Sequence, residues 1–290
     1  MNTVIATLLR YAFGKQAADR YLSQYYQDGA DLPQTAVSDW ITEPVDRRDL
    51  PADHSPVYCW CIDAGHGPLT AGKRSPLLPK SFTMDGQVYD RLMEYAYNRD
   101  IADRVCEMLS ALGLAYMRTM PADGIYGNAL YERVSNANKH VTPYPKRFVS
   151  LHGNAAAARG MEYYCDDTAR GVDTFYAKGS VPGYRMAYKM QTHRVNALRE
   201  AVRGVYVDAT YGGFYKPSLI PADVKDRGVK AANFYVLRRT TMPAVLLETF
   251  FFNNRLDVQL MQMEEIRQAT AEAIIDAIIE IETDAESPAK

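Results

Sequence analysis

The chain has 290 residues, 47% of them hydrophobic, enough to bury a sizeable core as one large domain or one domain with an extension. Its 33 basic and 35 acidic residues are spread along the chain and leave a net charge of -2, so it carries no electrostatic footprint for nucleic acid. Four cysteines (Cys59, Cys61, Cys106, Cys165) are too few for a disulfide framework and read as reduced core residues.

Residues 3–27 repeat apolar and aromatic side chains at helical spacing, with a break near Gly14, which predicts one or two helices. The opening MNTVIATLLRYAFGK holds a short apolar stretch broken by Arg10 and no small-residue cleavage site. It fits a signal peptide poorly and is too short to span a membrane. Residues 33–56 are rich in Pro, Asp and Arg without periodicity and read as a surface linker. The expected organisation is a helical extension and linker over 1–55 and a main domain over 56–290.

From Val57 short apolar runs alternate with longer helical ones, the pattern of an α/β domain with a largely buried sheet. Strands are predicted at VYCWCID (57–63), LAYMRT (114–119), RFVSLH (147–152), GMEYYC (160–165), NFYVLRR (233–239) and PAVLLET (243–249). Helices are predicted over 89–112, closed by Gly113, and over 127–140, 185–202 and 257–281, with ESPAK as a frayed tail. Two irregular segments, 68–88 and 207–224, are long enough to shape a site.

Four polar residues stand out against this frame. His66 ends WCIDAGHG, where a corner accounts for the glycines and leaves the histidine unexplained. His152 ends RFVSLH and is likewise followed by small residues. Either is a hydrogen-bonded structural histidine when taken alone, but the carboxyl ends of strands in an open α/β sheet face the crevice where ligands gather. Glu94 falls at or beside the apolar stripe of Tyr97, Ile101, Val105 and Leu112, where a carboxylate is costly unless paired, hydrogen-bonded or bound to a cation. A salt bridge to Arg91 or Arg99 on a solvated face is the competing account. Glu248 ends an uninterrupted apolar run and precedes three phenylalanines, so desolvation should raise its proton affinity and suit it to acid or base work. An ion pair with Arg238 or Arg239 competes there. As a set, two histidines and a glutamate supply three ligands zinc accepts, with a fourth position open and a second glutamate to move protons.

From about Val57 to Ile281 the chain resembles the zinc-dependent N-acetylmuramoyl-L-alanine amidases of the type 3 class. IDAGHG is similar to the motif of the first zinc histidine, EYAYN to the segment of the glutamate ligand, and VSLHGNA to the motif of the second histidine, which assigns His66, Glu94 and His152. ERVSNAN and RGMEYYC look like the family's helix and following strand, and DRGVKAANFYVLRRTTMPAVLLETFFFNN like its last block, with Glu248 matching the catalytic glutamate. The resemblance implies a twisted mixed sheet flanked by helices, a Zn2+ cofactor, and hydrolysis of the amide between N-acetylmuramic acid and L-alanine in peptidoglycan. Asn154 and Lys230 become candidate substrate contacts, with structural or solvated roles as rivals, and Asp63 becomes a support for backbone or a histidine ring, with turn formation as its equal.

The chain departs from the family's pattern at Ala64, where proline is usual, in the long 28-position spacing from His66 to Glu94, and in residues 1–55, which have no counterpart. The long spacing predicts a lid or substrate wall. Residues 1–55 read as a docking element for a protein partner or the wall, or as a plain stabilising extension. Work at the cell wall without an evident export signal implies release by lysis or delivery by a phage or secretion machine. A zinc peptidase or deacetylase on another wall bond, and a non-catalytic wall-binding component, are the alternatives.

Overall fold

The computed structural model describes residue 50 and residues 54–157, 162–213 and 215–286; the predicted N-terminal helices, most of the linker and the last four residues lie outside these. At the head of the described chain Leu50 packs on the core, and the Val57 backbone N–H and the Trp60 indole both donate to the buried carboxylate of Glu282.

A six-stranded mixed sheet organises the molecule. In chain order its strands are β1 (Cys59–Ala64), β4 (Ala115–Arg118), β5 (Lys146–Asn154), β6 (Val172–Ala177), β9 (Asp226–Ala232) and β10 (Ala244–Phe251), with spatial order β4-β1-β5-β10-β6-β9. The first four strands in that spatial order run parallel; β6 is antiparallel to β10, and β9 is parallel to β6. Two small hairpins lie outside it, β2 (Phe82–Met84) with β3 (Gln87–Tyr89), and β7 (Tyr206–Asp208) with β8 (Leu219–Pro221).

The helices are α1 (Glu94–Ala111), α2 (Leu130–Lys139), α3 (Val181–Ala201), α4 (Tyr235–Arg239), α5 (Arg255–Gln262) and α6 (Glu264–Glu286). Strand side chains alternate between two cores. Ile62, Val149, Leu151, Val245 and Leu247 pack with α1, α3 and α6, while Cys61, Phe148, Ala244 and Leu246 pack with Val134 and Ala137 of α2 and Val236 and Leu237 of α4. Burial on both faces explains why β1 reads as a continuous apolar run. All four cysteines are buried free thiols. Among the described residues no helix is long and apolar enough to cross a membrane.

Four expectations are corrected. NFYVLRR is no strand: Tyr235–Arg239 forms α4, which buries Val236 and Leu237 together, as one turn of helix does and a pleated strand does not. The strand of that region is β9, whose half-exposed residues at the sheet edge leave no apolar alternation to read. GMEYYC is no strand over its described residues: Tyr163 is exposed, and the next strand of the chain is β6, VDTFYA, which begins at Val172. The helix predicted from Tyr89 begins at Glu94, because Tyr89 pairs with Phe82 in the β2–β3 hairpin. The closing helix is broken at Met263, which adopts extended backbone between α5 and α6.

Candidate metal centre

The carboxyl ends of β1 and β5 and the start of α1 bring three candidates to one point. His66 lies two residues past Ala64, which is in register with Leu151, and His152 follows Leu151 on β5. Glu94 opens α1, its backbone N–H bonded to the Lys73 carbonyl, so its carboxylate stands at the positive end of the helix dipole. Glu94 Oε1 lies 3.2 Å from His66 Nε2 and 3.0 Å from His152 Nδ1. The two rings meet edge to face at 4.9 Å between centroids. The competing salt bridge of Glu94 to Arg91 or Arg99 is not formed: Arg91 pairs with Glu162, and Arg99 donates to the Gly124 carbonyl.

These three donors fit a small tetrahedral cation. Bonds of about 2.0–2.1 Å place tetrahedral ligands about 3.3 Å apart, close to both distances to Oε1. Asn128 Oδ1 lies 2.6 Å from His66 Nδ1 and accepts its proton, which leaves Nε2 as the ring nitrogen that faces Glu94. At 3.2 Å, Nε2 and Oε1 are close enough to share a proton or to hold a cation between them. Glu94 Oε2 is buried without a hydrogen-bond partner, its nearest cation being Lys73 Nζ at 3.7 Å. Burial by itself raises the Glu94 pKa, but hydrogen bonding to His152 and His66 outweighs this and lowers it to about 2, keeping the ligand anionic.

Glu248 completes the arrangement from the next strand. On β10 it is in register with His152, and a bulge follows at once, with Phe250 in the left-handed region at φ 62°. The buried guanidinium of Arg194 on α3 fixes this corner, donating to the Glu248 carbonyl at 2.8 Å, to Thr249 Oγ1 at 2.6 Å and to the Asp173 carbonyl at 3.1 Å. Among the described residues the competing ion pair of Glu248 with Arg238 or Arg239 is not formed: both lie on α4, Arg238 over the Tyr235 ring. Glu248 Oε2 is shielded from solvent and has no hydrogen-bond partner. Desolvation, opposed by His152 and reinforced by Glu94, raises the Glu248 pKa to about 7.

The loop carrying His66 is held by a network of which the sequence reading named Asp63 and missed its partners Arg133, Ser150 and Thr119. Asp63, fully buried on β1, accepts from Thr119, from Ser150 Oγ at 2.7 Å and from Arg133 Nη1 at 2.8 Å. Arg133, buried on α2, also donates to the carbonyls of Ala64, His66 and Asn128. Asp63 therefore touches no histidine; it anchors the arginine that ties down the loop backbone. His66 sits at φ 61°, a strained conformation for a side-chain-bearing residue, and these bonds hold it there. A buried aspartate inside an apolar strand was itself the signal that a cation had to come from elsewhere. Asn98 on α1 adds a bond to the Gly65 carbonyl. A Cβ on Gly65 would lie 2.2 Å from the His152 ring, and one on Gly67 the same distance from the Tyr126 carbonyl, so close approach requires glycine at both positions. Arg133→Met is expected to cost about 3–5 kcal/mol by stranding Asp63 in the core; urea unfolding measures it, and a loss below about 1 kcal/mol would remove Arg133 from this role.

Comparison with known proteins follows the same residues. The family model described as N-acetylmuramoyl-L-alanine amidase matches residues 61–280, three quarters of the chain. The chain belongs to that family. Relatives include the N-acetylmuramoyl-L-alanine amidase LytC of Bacillus subtilis, 28% identical over 221 residues (75% of this chain, 34% of LytC), and the endolysin of Bacillus phage SPP1, 29% identical over 222 residues (76% of this chain, 64% of the endolysin). The chain thus spans about a third of the length of LytC and just under two thirds of the endolysin. An N-acetylmuramoyl-L-alanine amidase structure from Clostridium difficile 630 superposes with a TM-score of 0.57 at 23% identity, over 80% of this chain and all of that one, which shows the fold.

In this amidase-family chain the two weaker candidates also meet, at Asp173 on β6. Lys230 Nζ lies 3.1 Å from Asp173 Oδ1 and Asn154 Nδ2 donates to Oδ2 at 3.3 Å. The segment after His66 is built rather than loose: Met84 is buried, Ser75 Oγ accepts from the Leu92 N–H, and Arg74 bridges to Met93. It is thus packed onto the start of α1.

Proposed function

We propose that this chain is a zinc-dependent peptidoglycan amidase that cleaves the amide between the lactyl group of N-acetylmuramic acid and the L-alanine of the stem peptide. The observation that carries this reading is the convergence of His66 Nε2, His152 Nδ1 and Glu94 Oε1 on one point beside Glu248, whose inner oxygen has no partner. His66, Glu94 and His152 would hold the metal. When bound, zinc supplies Lewis acidity toward the lactyl carbonyl and activates water.

Glu248 would act as the proton carrier. Its carboxylate takes a proton from the attacking water as the carbon–oxygen bond forms, then returns it to the alanine nitrogen as the carbon–nitrogen bond breaks. A pKa raised toward neutrality suits both halves of this exchange. Arg194 keeps the bulge in place so that Glu248 faces the triad. Arg133 and Asn128 fix the backbone and tautomer of His66. Asn154 and Lys230 stand beside Glu248 as substrate contacts.

Work on the cell wall follows from this reaction, and the likeness to a phage endolysin supports release by lysis or delivery by a particle. Residues 1–55 are proposed as a separate extension with a docking role. Digestion of purified peptidoglycan, read by mass spectrometry, is expected to yield stem peptides with free N-terminal alanine and glycan strands retaining the lactyl carboxyl. Chelator should stop the release and zinc restore it. Release of other fragments supports a peptidase or deacetylase, and binding without turnover supports a wall-binding component.

A further inference from the structure

We propose that Arg227 and Lys230 form a subsite for a carboxylate of the departing stem peptide, with Asp173 as the residue that positions them. This rests on the amidase reading and deepens it.

The antiparallel pairing of β6 with β10 sets Asp173 directly opposite Glu248. Its carboxylate is almost wholly buried, yet Arg227 Nε lies 2.8 Å from Oδ1 and Lys230 Nζ 3.1 Å from the same atom. Asn154 reaches Oδ2 from the other side. Two cations thus share one carboxylate, and among the described residues no other acidic side chain is ion-paired with either. One would neutralise Asp173. The second leaves a positive charge over.

That charge is accessible. The side chain of Arg227 is 26% exposed and that of Lys230 38% exposed, and both rest on aromatic faces, Arg227 on Phe251 and Lys230 on Phe175. The rings and Asp173 limit their motion, so an incoming anion meets donors already oriented and partly stripped of water.

Position identifies the ligand. Across the sheet edge the order is His152, Glu248, Asp173, one strand apart each time. With strands about 4.8 Å apart, the cations lie roughly 10 Å from the metal centre. Glu248 stands between, and it hands the proton to the leaving nitrogen, so the peptide rather than the glycan extends over Asp173. An extended peptide advances about 3.3–3.6 Å per residue, which carries the second or third stem residue to the cations. The complementary group is a carboxylate there.

The test uses two disaccharide-tripeptide fragments that differ only at the second stem residue, one with a free α-carboxylate and one with the carboxamide. The wild-type protein is expected to favour the carboxylate about tenfold in kcat/KM, through KM, the effect of one charge-assisted hydrogen bond. Lys230→Met keeps Arg227 on Asp173 and should fold with an unchanged Tm and lose this preference, its KM for the carboxylate fragment rising to equal its KM for the carboxamide. Arg227→Lys should retain the preference, as a charge-conserving change. Equal KM for the two fragments in the wild type, or a wild-type preference in Lys230→Met, overturns the subsite while leaving the amidase reading intact. Turnover of neither fragment overturns both.

Discussion

Glu248→Gln is expected to lower kcat about a thousandfold, within the range attributed to a positioned acid or base, while zinc content and KM stay near wild type. The amide keeps the shape of the side chain and the Arg194 bonds to its backbone and to Thr249, so the bulge survives and the ability to take a proton does not. A second consequence follows for the metal-free protein. The Glu248 pKa rises from 4.5 to about 7 on folding because the carboxylate is desolvated, so between those values the folded chain holds a proton that the unfolded chain releases. The stability this contributes is present in full below pH 4.5 and is lost as pH rises through 7. At pH 8 metal-free Glu248→Gln should therefore unfold at higher denaturant than the wild type, by about 1–3 kcal/mol, and the gap should close toward pH 4.5. A variant with more than a tenth of wild-type kcat would show that another group moves the proton; a stability gap independent of pH would show that Glu248 is not the titrating burden.

The difference between what was legible and what was not follows from how locally each feature is encoded. β1, β5 and β10 are buried on both faces, so their apolar runs announced them, and the side chains at their ends were exposed to reading by the same contrast. Glu94 was legible because a carboxylate beside a helix's apolar stripe has few places to go. β9 was not, since an edge strand with half-exposed residues has no periodicity to offer, and α4 took its place because Tyr-Val-Leu has strand propensity that packing overrode. The supporting residues were illegible for another reason. Arg133 lies 70 positions from Asp63, and Arg194 lies 54 from Glu248; each is an ordinary arginine in a helix until the sheet folds against it. What the chain writes plainly is which charges are buried. Which partner reaches each one depends on topology.

His66→Gly, rather than alanine, is the variant that separates metal binding from folding. At φ 61° any side chain is strained, and alanine would keep that strain while deleting the imidazole. Glycine relieves it, so the metal-free variant should match the wild type in stability or exceed it by about 1 kcal/mol. The Arg133 bond to the residue 66 carbonyl does not depend on the side chain and remains. What is lost is one of three donors, and with it zinc retained through dialysis and at least a thousandfold of the activity, by analogy with removal of a catalytic group that cannot be bypassed. Metal binding to the folded state alone adds about 2.7 kcal/mol when free zinc stands at 100 times its Kd. Zinc should therefore raise the Tm of the wild type and leave that of His66→Gly where it was. Normal zinc occupancy in this variant would place the metal elsewhere, whereas a zinc-free variant that also unfolds at low denaturant would show that the imidazole, bonded to Asn128, is first a structural element of its loop.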